Sequence, residues 1–262
     1  AYSYKKLLDG LPNAKLIDSE RLVNWARVVK SDAEINLMKK ASKITELGMK
    51  KAFEFIKPGV RQNDLVSEIA GTLIKGTNEY GGDYSAIVPL LPTGKGTSAS
   101  HLTWSDNKFI EGEATIIELS GVYRRYHCPM ARTVLLGKPD QKKIDTMKKT
   151  IEALHAGIDV TKPGNTADDV AQAFWKVLDK YGIEKKSRTG YSIGIGYPPD
   201  WGEHTLNIYK GDKTVLEKNI CFHMIAVMQF GEWGVEASES VRVTETGSEL
   251  FCNLSKELHI KS

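Results

Sequence analysis

An α+β fold of two duplicated halves around a curved antiparallel sheet is predicted by three observations. The chain repeats itself: Lys57-Pro58-Gly59 is followed by Asp64, Leu65, Ile69 and Leu73, and Lys162-Pro163-Gly164 by Asp169, Val170, Phe174 and Leu178 at the same spacings. Upstream of the copies stand Met38-Lys39-Lys40 and Met147-Lys148-Lys149, with the second interval shorter by about one helical turn. Segments with strand signals follow each copy. Helix, Pro-Gly turn, helix and strands, twice over, is a duplicated half rather than a repeat array.

Each element has a local cause. Residues 1–27 carry Pro12 and few periodic apolar positions, and read as a linker or the remnant of an N-terminal domain ahead of the main domain, 28–262. Ser31 with Glu34 forms a capping box for the first helix, and Ile35, Met38, Ala41 and Ile44 give it one apolar stripe. Pro58-Gly59 ends it. In the second copy Val170, Phe174, Val177 and Leu178 form the stripe, with Gly182 as the C-terminal signal. Strands are expected at Ala86–Leu91, at Ala114–Leu119 and Tyr126–Leu136 as a hairpin around Gly121, and at Ile193–Ile195, Ile220–Phe230 and Gly234–Val243.

Composition narrows the function classes. A chain of 262 residues, 41% hydrophobic and 26% charged, buries one sizeable core. The net charge is +3, and the basic doublets Lys39-Lys40, Lys142-Lys143, Lys148-Lys149 and Lys185-Lys186 are separated by apolar residues. These read as solvated helix faces, without the basic stripe that nucleic acid requires. The three cysteines, Cys128, Cys221 and Cys252, form no CxxC, which argues against structural zinc or a disulfide framework. A reducing cytoplasm is the expected compartment. No apolar run approaches the ~18 residues of a membrane span.

Specific strings carry a resemblance. Glu118-Leu119-Ser120-Gly121, Arg132-Thr133, Gly190-Tyr191-Ser192-Ile193-Gly194 and the terminal Val241-Arg242-Val243-Thr244-Glu245-Thr246-Gly247 resemble the pita-bread fold of methionine aminopeptidases, Xaa-Pro peptidases and creatinase, over about residues 28–250. In the metallopeptidases of that fold, Asp, Asp, His, Glu and Glu hold two metals. By local spacing those positions fall on Glu118, Pro129, Tyr191, Ile225 and Ser238. One usable ligand is not a metal site. Arg124-Arg125-Tyr126-His127-Cys128-Pro129 and Gly194-Ile195-Gly196-Tyr197-Pro198-Pro199-Asp200-Trp201-Gly202-Glu203 are most similar to the metal-independent ectoine hydrolase branch. The resemblance implies a catalytic domain that hydrolyses the cyclic amidine of ectoine to N-acetyl-2,4-diaminobutyrate. It implies no metal or cofactor, a small zwitterionic substrate, a homodimer, and an N-terminal domain beyond this chain.

The residues expected to carry the chemistry follow from this reading. Glu118, at a ligand position on an otherwise apolar strand face, is expected to attack the amidinium carbon or deprotonate water; a structural ion pair with Arg132 or Arg125 is the competing reading. Tyr191 is expected as a donor toward substrate, with His101 and His223 as proton shuttles. Glu236 shares a strand face with Ser238 and opposes Glu239. For binding, Trp201 is expected to stack on the cation and Glu203 to bridge the amidinium N–H groups. Tyr197 joins them in the same string. Arg125 is the expected carboxylate partner, with Arg124 and Arg132 as alternatives. Competing functions are a metal-dependent Xaa-Pro peptidase, a creatinase-like hydrolase of another amidine or guanidine, and a pita-bread binding domain without activity.

Overall fold

The computed structural model describes residues 2–138 and 140–261. Helices α1 (Tyr2–Gly10) and α2 (Leu22–Ala26) precede the first repeat, α3 (Asp32–Phe55) and α4 (Gln62–Lys75). Strands β1 (Ala114–Tyr123) and β2 (Tyr126–Leu136) follow, then the second repeat, α5 (Gln141–Asp159) and α6 (Ala167–Lys180). Strands β3 (Gly190–Tyr197), β4 (Asp200–Ile208), β5 (Cys221–Phe230), β6 (Trp233–Val243), β7 (Ser248–Leu250) and β8 (His259–Lys261) complete the chain. The strands form one sheet in the order β1-β2-β3-β5-β6-β7, with β4 on β3 and β8 on β2. All pairings are antiparallel except β2–β8.

The duplication is visible in hydrogen bonds. Gly59 and Gly164 occupy matching left-handed turns, φ 86° and 88°. Each donates its N–H to a return loop, to Phe109 O and Leu216 O. Isolated bridges Arg61–Lys108 and Thr166–Val215 recur at the same place in the two halves. Each half has its own core: Met38, Ile44, Leu65 and Ile69 with Ile117 and Leu119 in the first, Leu154, Val170 and Phe174 with Phe222 and Val235 in the second. The Ser31–Glu34 capping box is present at α3, and Gly182 lies just beyond the end of α6 at φ 64°.

Two expectations need correction. Residues 86–91 form no strand; Leu90 makes an isolated bridge to Glu118, and the segment hangs on His127, whose Nε2 accepts from Ala86 N–H at 3.0 Å. The β1–β2 hairpin turns at Arg124 and Arg125, both left-handed (φ 50° and 68°), as a two-residue loop requires. Gly121 is instead a close-approach residue: a Cβ there would lie 2.4 Å from both Ala41 O and Thr45 N of α3. Residues 21–27, within the segment expected as a linker or domain remnant, are hydrogen-bonded to the main domain. Arg21 donates to His204 O (2.7 Å), Asn24 to Glu203 O (2.8 Å) and Arg27 to Ile195 O (2.6 Å), which fastens α2 onto β3 and β4.

The Gly121 contact yields a prediction. Gly121→Ala forces α3 away from β1 and disturbs the Gly121 N–H to Thr45 Oγ1 bond (2.8 Å). We expect a stability loss of about 2 kcal/mol or more by denaturant titration; an unchanged midpoint would contradict this packing.

Candidate active site

The sheet forms a cleft whose outer part encloses about 710 Å³. An inner chamber of about 130 Å³ continues from it, and Leu90, His101, Glu118, Arg188 and Tyr191 line both. Glu118 comes from β1 and Tyr191 from β3. Glu236, from β6, faces the inner chamber with Ile116, Ile225 and Val227. Two carboxylates therefore share one small, largely apolar space. Burial and the Glu236 carboxylate hold the Glu118 carboxyl well above the usual range. Burial also raises Glu236, against the pull of the Lys185 ammonium. Lys185 itself is lowered to about 8 by burial, against Glu236. Among the described residues the nearest basic nitrogen to Glu118 is His223 Nδ1 at 4.0 Å, beyond hydrogen-bonding reach. The ion pair of Glu118 with Arg132 or Arg125 is not formed.

Behind Tyr191 runs a buried polar chain. Trp201 Nε1 donates to Tyr191 Oη at 2.7 Å, and His223 Nδ1 lies 3.2 Å from the same oxygen. His223 Nε2 is 2.6 Å from Ser238 Oγ, which also accepts from Ala131 N–H at 2.6 Å. Burial first, then the Arg132 and Arg188 charges, lower His223 to about 3, so it is neutral. Burial and Glu118 raise the Tyr191 phenol well above its usual value.

Several residues expected to touch substrate are placed elsewhere. Strand alternation on β4 buries Trp201, Glu203 and Thr205 and leaves Asp200, Gly202 and His204 more open; of these six, Asp200, Trp201, Gly202 and His204 border the outer cleft. Trp201 is fully buried in the wall of the outer cleft, where its indole N–H supports Tyr191. Glu203 is buried against Lys30, Nζ to Oε2 2.6 Å, and is raised by burial against the lowering effect of that lysine. Arg125 donates Nε and Nη2 to Gly196 O (3.2 and 2.9 Å), and its guanidinium lies between the Tyr84 and Tyr197 rings. Its donors fasten the β1–β2 turn instead of facing a ligand. Tyr197 borders the outer cleft. His223 lines neither chamber; its Nδ1 stands behind the cleft wall, 3.2 Å from Tyr191 Oη and 4.0 Å from Glu118 Oε1. His101 lines both, with a left-handed backbone at φ 63°.

Sequence reasoning missed Asn24, Arg27 and Arg188. Arg188 packs over the Tyr191 ring, 4.5 Å from its centroid, and lines both chambers. Its signal was its place just before the Gly190–Gly196 segment. Asn24 and Arg27 form part of the outer wall.

The profile of metallopeptidase family M24 matches residues 36–245. The chain belongs to this family. It is 43% identical to an ectoine hydrolase of Halomonas elongata over 267 aligned residues, covering 100% of this chain and 67% of that protein. It is 39% identical to an uncharacterized hydrolase/peptidase of Sinorhizobium fredii, covering 100% of this chain and 67% of the relative. The chain thus spans about two thirds of the length of these relatives. Among solved structures, an X-Pro aminopeptidase from Thermotoga maritima superposes with TM-score 0.89 at 19% identity, covering 99% of this chain and 71% of the other. Dipeptidase PepE from Mycobacterium ulcerans gives 0.84 at 24%, covering 97% and 67%. These two establish the pita-bread fold.

The family's two-metal arrangement does not fit the residues at its ligand positions. Pro129 and Ile225 have no donor side chain. The Ser238 hydroxyl and the Tyr191 phenol are engaged within the buried chain. Among the described residues, no group of three or more His, Cys, Asp or Glu is arranged to hold an ion. The M24 scaffold here presents carboxyl and phenol chemistry where its metallopeptidases place ions.

The Glu118 environment has a measurable signature. Between the usual carboxylate range and its raised folded value, Glu118 keeps a proton that the unfolded chain has released. Stability therefore falls as pH rises through that interval. Glu118→Gln removes the effect. We expect the variant to exceed the parent in stability at alkaline pH, and the two to converge as pH falls into the usual carboxylate range. Thermal denaturation across this range checks it; a variant less stable at the alkaline end would refute the assigned environment.

Proposed function

We propose that this chain hydrolyses the cyclic amidinium of ectoine to N-acetyl-2,4-diaminobutyrate without a metal ion. The observation that carries the reading is Glu118: a carboxylate with no basic partner in hydrogen-bonding reach, where the outer cleft meets the inner chamber. The 43% identity to an ectoine hydrolase supports it and supplies the substrate. An amidinium neutralises the floor that Glu118 and Glu236 create. Its positive charge lowers the Glu118 carboxyl on binding and returns the carboxylate needed for chemistry.

The electrophile arrives already cationic, so attack at the amidinium carbon neutralises charge instead of building an oxyanion. Glu118 either deprotonates a water that adds to this carbon or adds to it directly. In the water route the oxygen bonds to carbon and its proton passes to Glu118. The ring C–N bond then breaks as the added oxygen becomes the amide carbonyl: the departing nitrogen takes a proton from Tyr191, the hydroxyl proton returns to the Tyr191 phenolate, and Glu118 passes its proton to the freed amine. Arg188, at the junction of the two chambers, receives the substrate carboxylate.

Metal-stripped protein is expected to turn over ectoine, followed by NMR, with no gain from added Mn²⁺, Co²⁺ or Zn²⁺. Hydrolysis confined to Xaa-Pro dipeptides with metal would instead establish the peptidase reading. Glu118→Gln should lower kcat by about 10²–10⁴-fold. A single turnover in H₂¹⁸O separates the two roles of Glu118: label retained in its carboxylate marks a covalent adduct, and label confined to product marks a base. Arg188→Met should raise KM by about 10-fold or more with a smaller change in kcat. An unchanged KM would move carboxylate recognition away from Arg188.

A further inference from the structure

We propose that Ser238 and His223 are positioning residues that lock Tyr191 as a hydrogen-bond donor toward the cleft. The chemical use of that donor rests on the hydrolase reading above; its geometry does not.

The direction of each bond follows from donor and acceptor capacity. The Ala131 N–H can only donate, and it points at Ser238 Oγ at 2.6 Å. The serine must then place its own proton, and the acceptor in reach is His223 Nε2 at 2.6 Å. A neutral imidazole that accepts at Nε2 carries its proton on Nδ1. Nδ1–H therefore donates to Tyr191 Oη at 3.2 Å. Trp201 Nε1–H, a donor only, approaches the same oxygen at 2.7 Å. With two protons directed at Oη, the phenol O–H turns away from both, toward the cleft that Tyr191 lines with Glu118. The opposite imidazole tautomer fails. It would aim two donors at Ser238 Oγ and leave the serine proton, at a fully buried site, with no acceptor.

This polarity divides the labour of the reaction. Tyr191 hands a proton to the departing ring nitrogen and cannot take one from water, so Glu118 is the base or nucleophile. The phenolate left after transfer keeps two donors already aimed at it. Two positions that hold metal ligands in other M24 proteins, Tyr191 and Ser238, become the ends of one hydrogen-bonded chain.

The test is the His223 tautomer, read from long-range ¹H–¹⁵N spectra of protein labelled at histidine, with the signal assigned by its absence in His223→Gln. We expect the Nδ1–H form in the wild type. An Nε2–H or imidazolium form would overturn the proposal. Ser238→Ala should shift His223 away from Nδ1–H and lower kcat about 10-fold, with KM changed less; Ser238→Thr, which keeps a hydroxyl, should restore both. A tautomer indifferent to Ser238→Ala would also overturn it. The wild-type spectrum decides the matter even where a variant fails to fold. The expected tautomer and Ser238 response without ectoine turnover would uphold the lock while refuting the substrate assignment.

Discussion

Much of this structure depends on one guanidinium. Arg132 is fully buried on β2, and its five N–H donors meet five acceptors. Nε reaches Ser255 O (2.6 Å); Nη1 reaches Ala131 O (2.8 Å) and Ser238 O (2.7 Å); Nη2 reaches Glu239 Oε1 (2.6 Å) and Leu254 O (3.0 Å). This matters because β6, which carries Glu236, and β2, which holds β1 with Glu118, share no backbone ladder among the described residues. Their seam is closed by side chains. Thr133 Oγ1 donates to Glu236 O and accepts from Glu236 N–H; Ser240 Oγ donates to Pro129 O; Ser238 Oγ accepts from Ala131 N–H. Proline at position 129 has no N–H to give, so a ladder there would be broken in any case. The seam sets Glu236 in the inner chamber with Glu118 and holds Ser238 on Ala131 and His223. Removing either Arg132 or Glu239 leaves the other charge buried, which in such pairs costs about 3–5 kcal/mol.

The same seam explains how a scaffold whose relatives include metallopeptidases can present another chemistry without changing fold. Exchanging side chains at positions already held by the sheet leaves the backbone intact. The cost falls on the buried carboxyls. A carboxyl pair in a small apolar chamber is a destabilising feature in the free protein, and such conflicts between stability and local chemistry gather at functional sites.

The fold was legible because its signals are local. The Ser31–Glu34 box, the two Lys-Pro-Gly turns and the helix stripes depend on neighbours within a few residues, and each formed as its pattern indicates. The errors arose where the cause is distant. Gly121 reads as a turn glycine, but α3 crossing above it is what forbids a side chain. The real turn, Arg124-Arg125, carries no turn composition. Within the site, Glu118 and Tyr191 were found at family ligand positions, Glu236 by strand face and His101 by its loop, and each lines the outer cleft or the inner chamber. Trp201 and Glu203 lie on β4, a strand the sequence reading does not mark; Glu203 is buried against Lys30, while Trp201 stands in the cleft wall with its indole on Tyr191. Parity on β4 is set by how the chain leaves the Pro198–Pro199 turn, and a one-residue shift moves every side chain to the other face. Arg188 belongs to no motif, and only the folded chain brings it over Tyr191.

Size and charge together locate where selectivity resides. The outer cleft, about 710 Å³, is in the range of sites for drug-sized ligands, roughly 300–1,000 Å³, and is roomy for a single-ring zwitterion. The inner chamber, about 130 Å³, admits only a small group, and its ionisable lining carries both signs: Glu118 and Glu236 on one side, Arg188 at the junction. A neutral ring of the same shape would have to leave the Glu118 carboxyl protonated, gaining no ion pair and providing no base. A cation without a carboxylate would leave Arg188 unmatched. On the proposed reading, a ligand with both charges at short separation satisfies the chamber and the junction at once. In doing so it turns the energetic penalty of the buried carboxyls into attraction at the atom to be attacked.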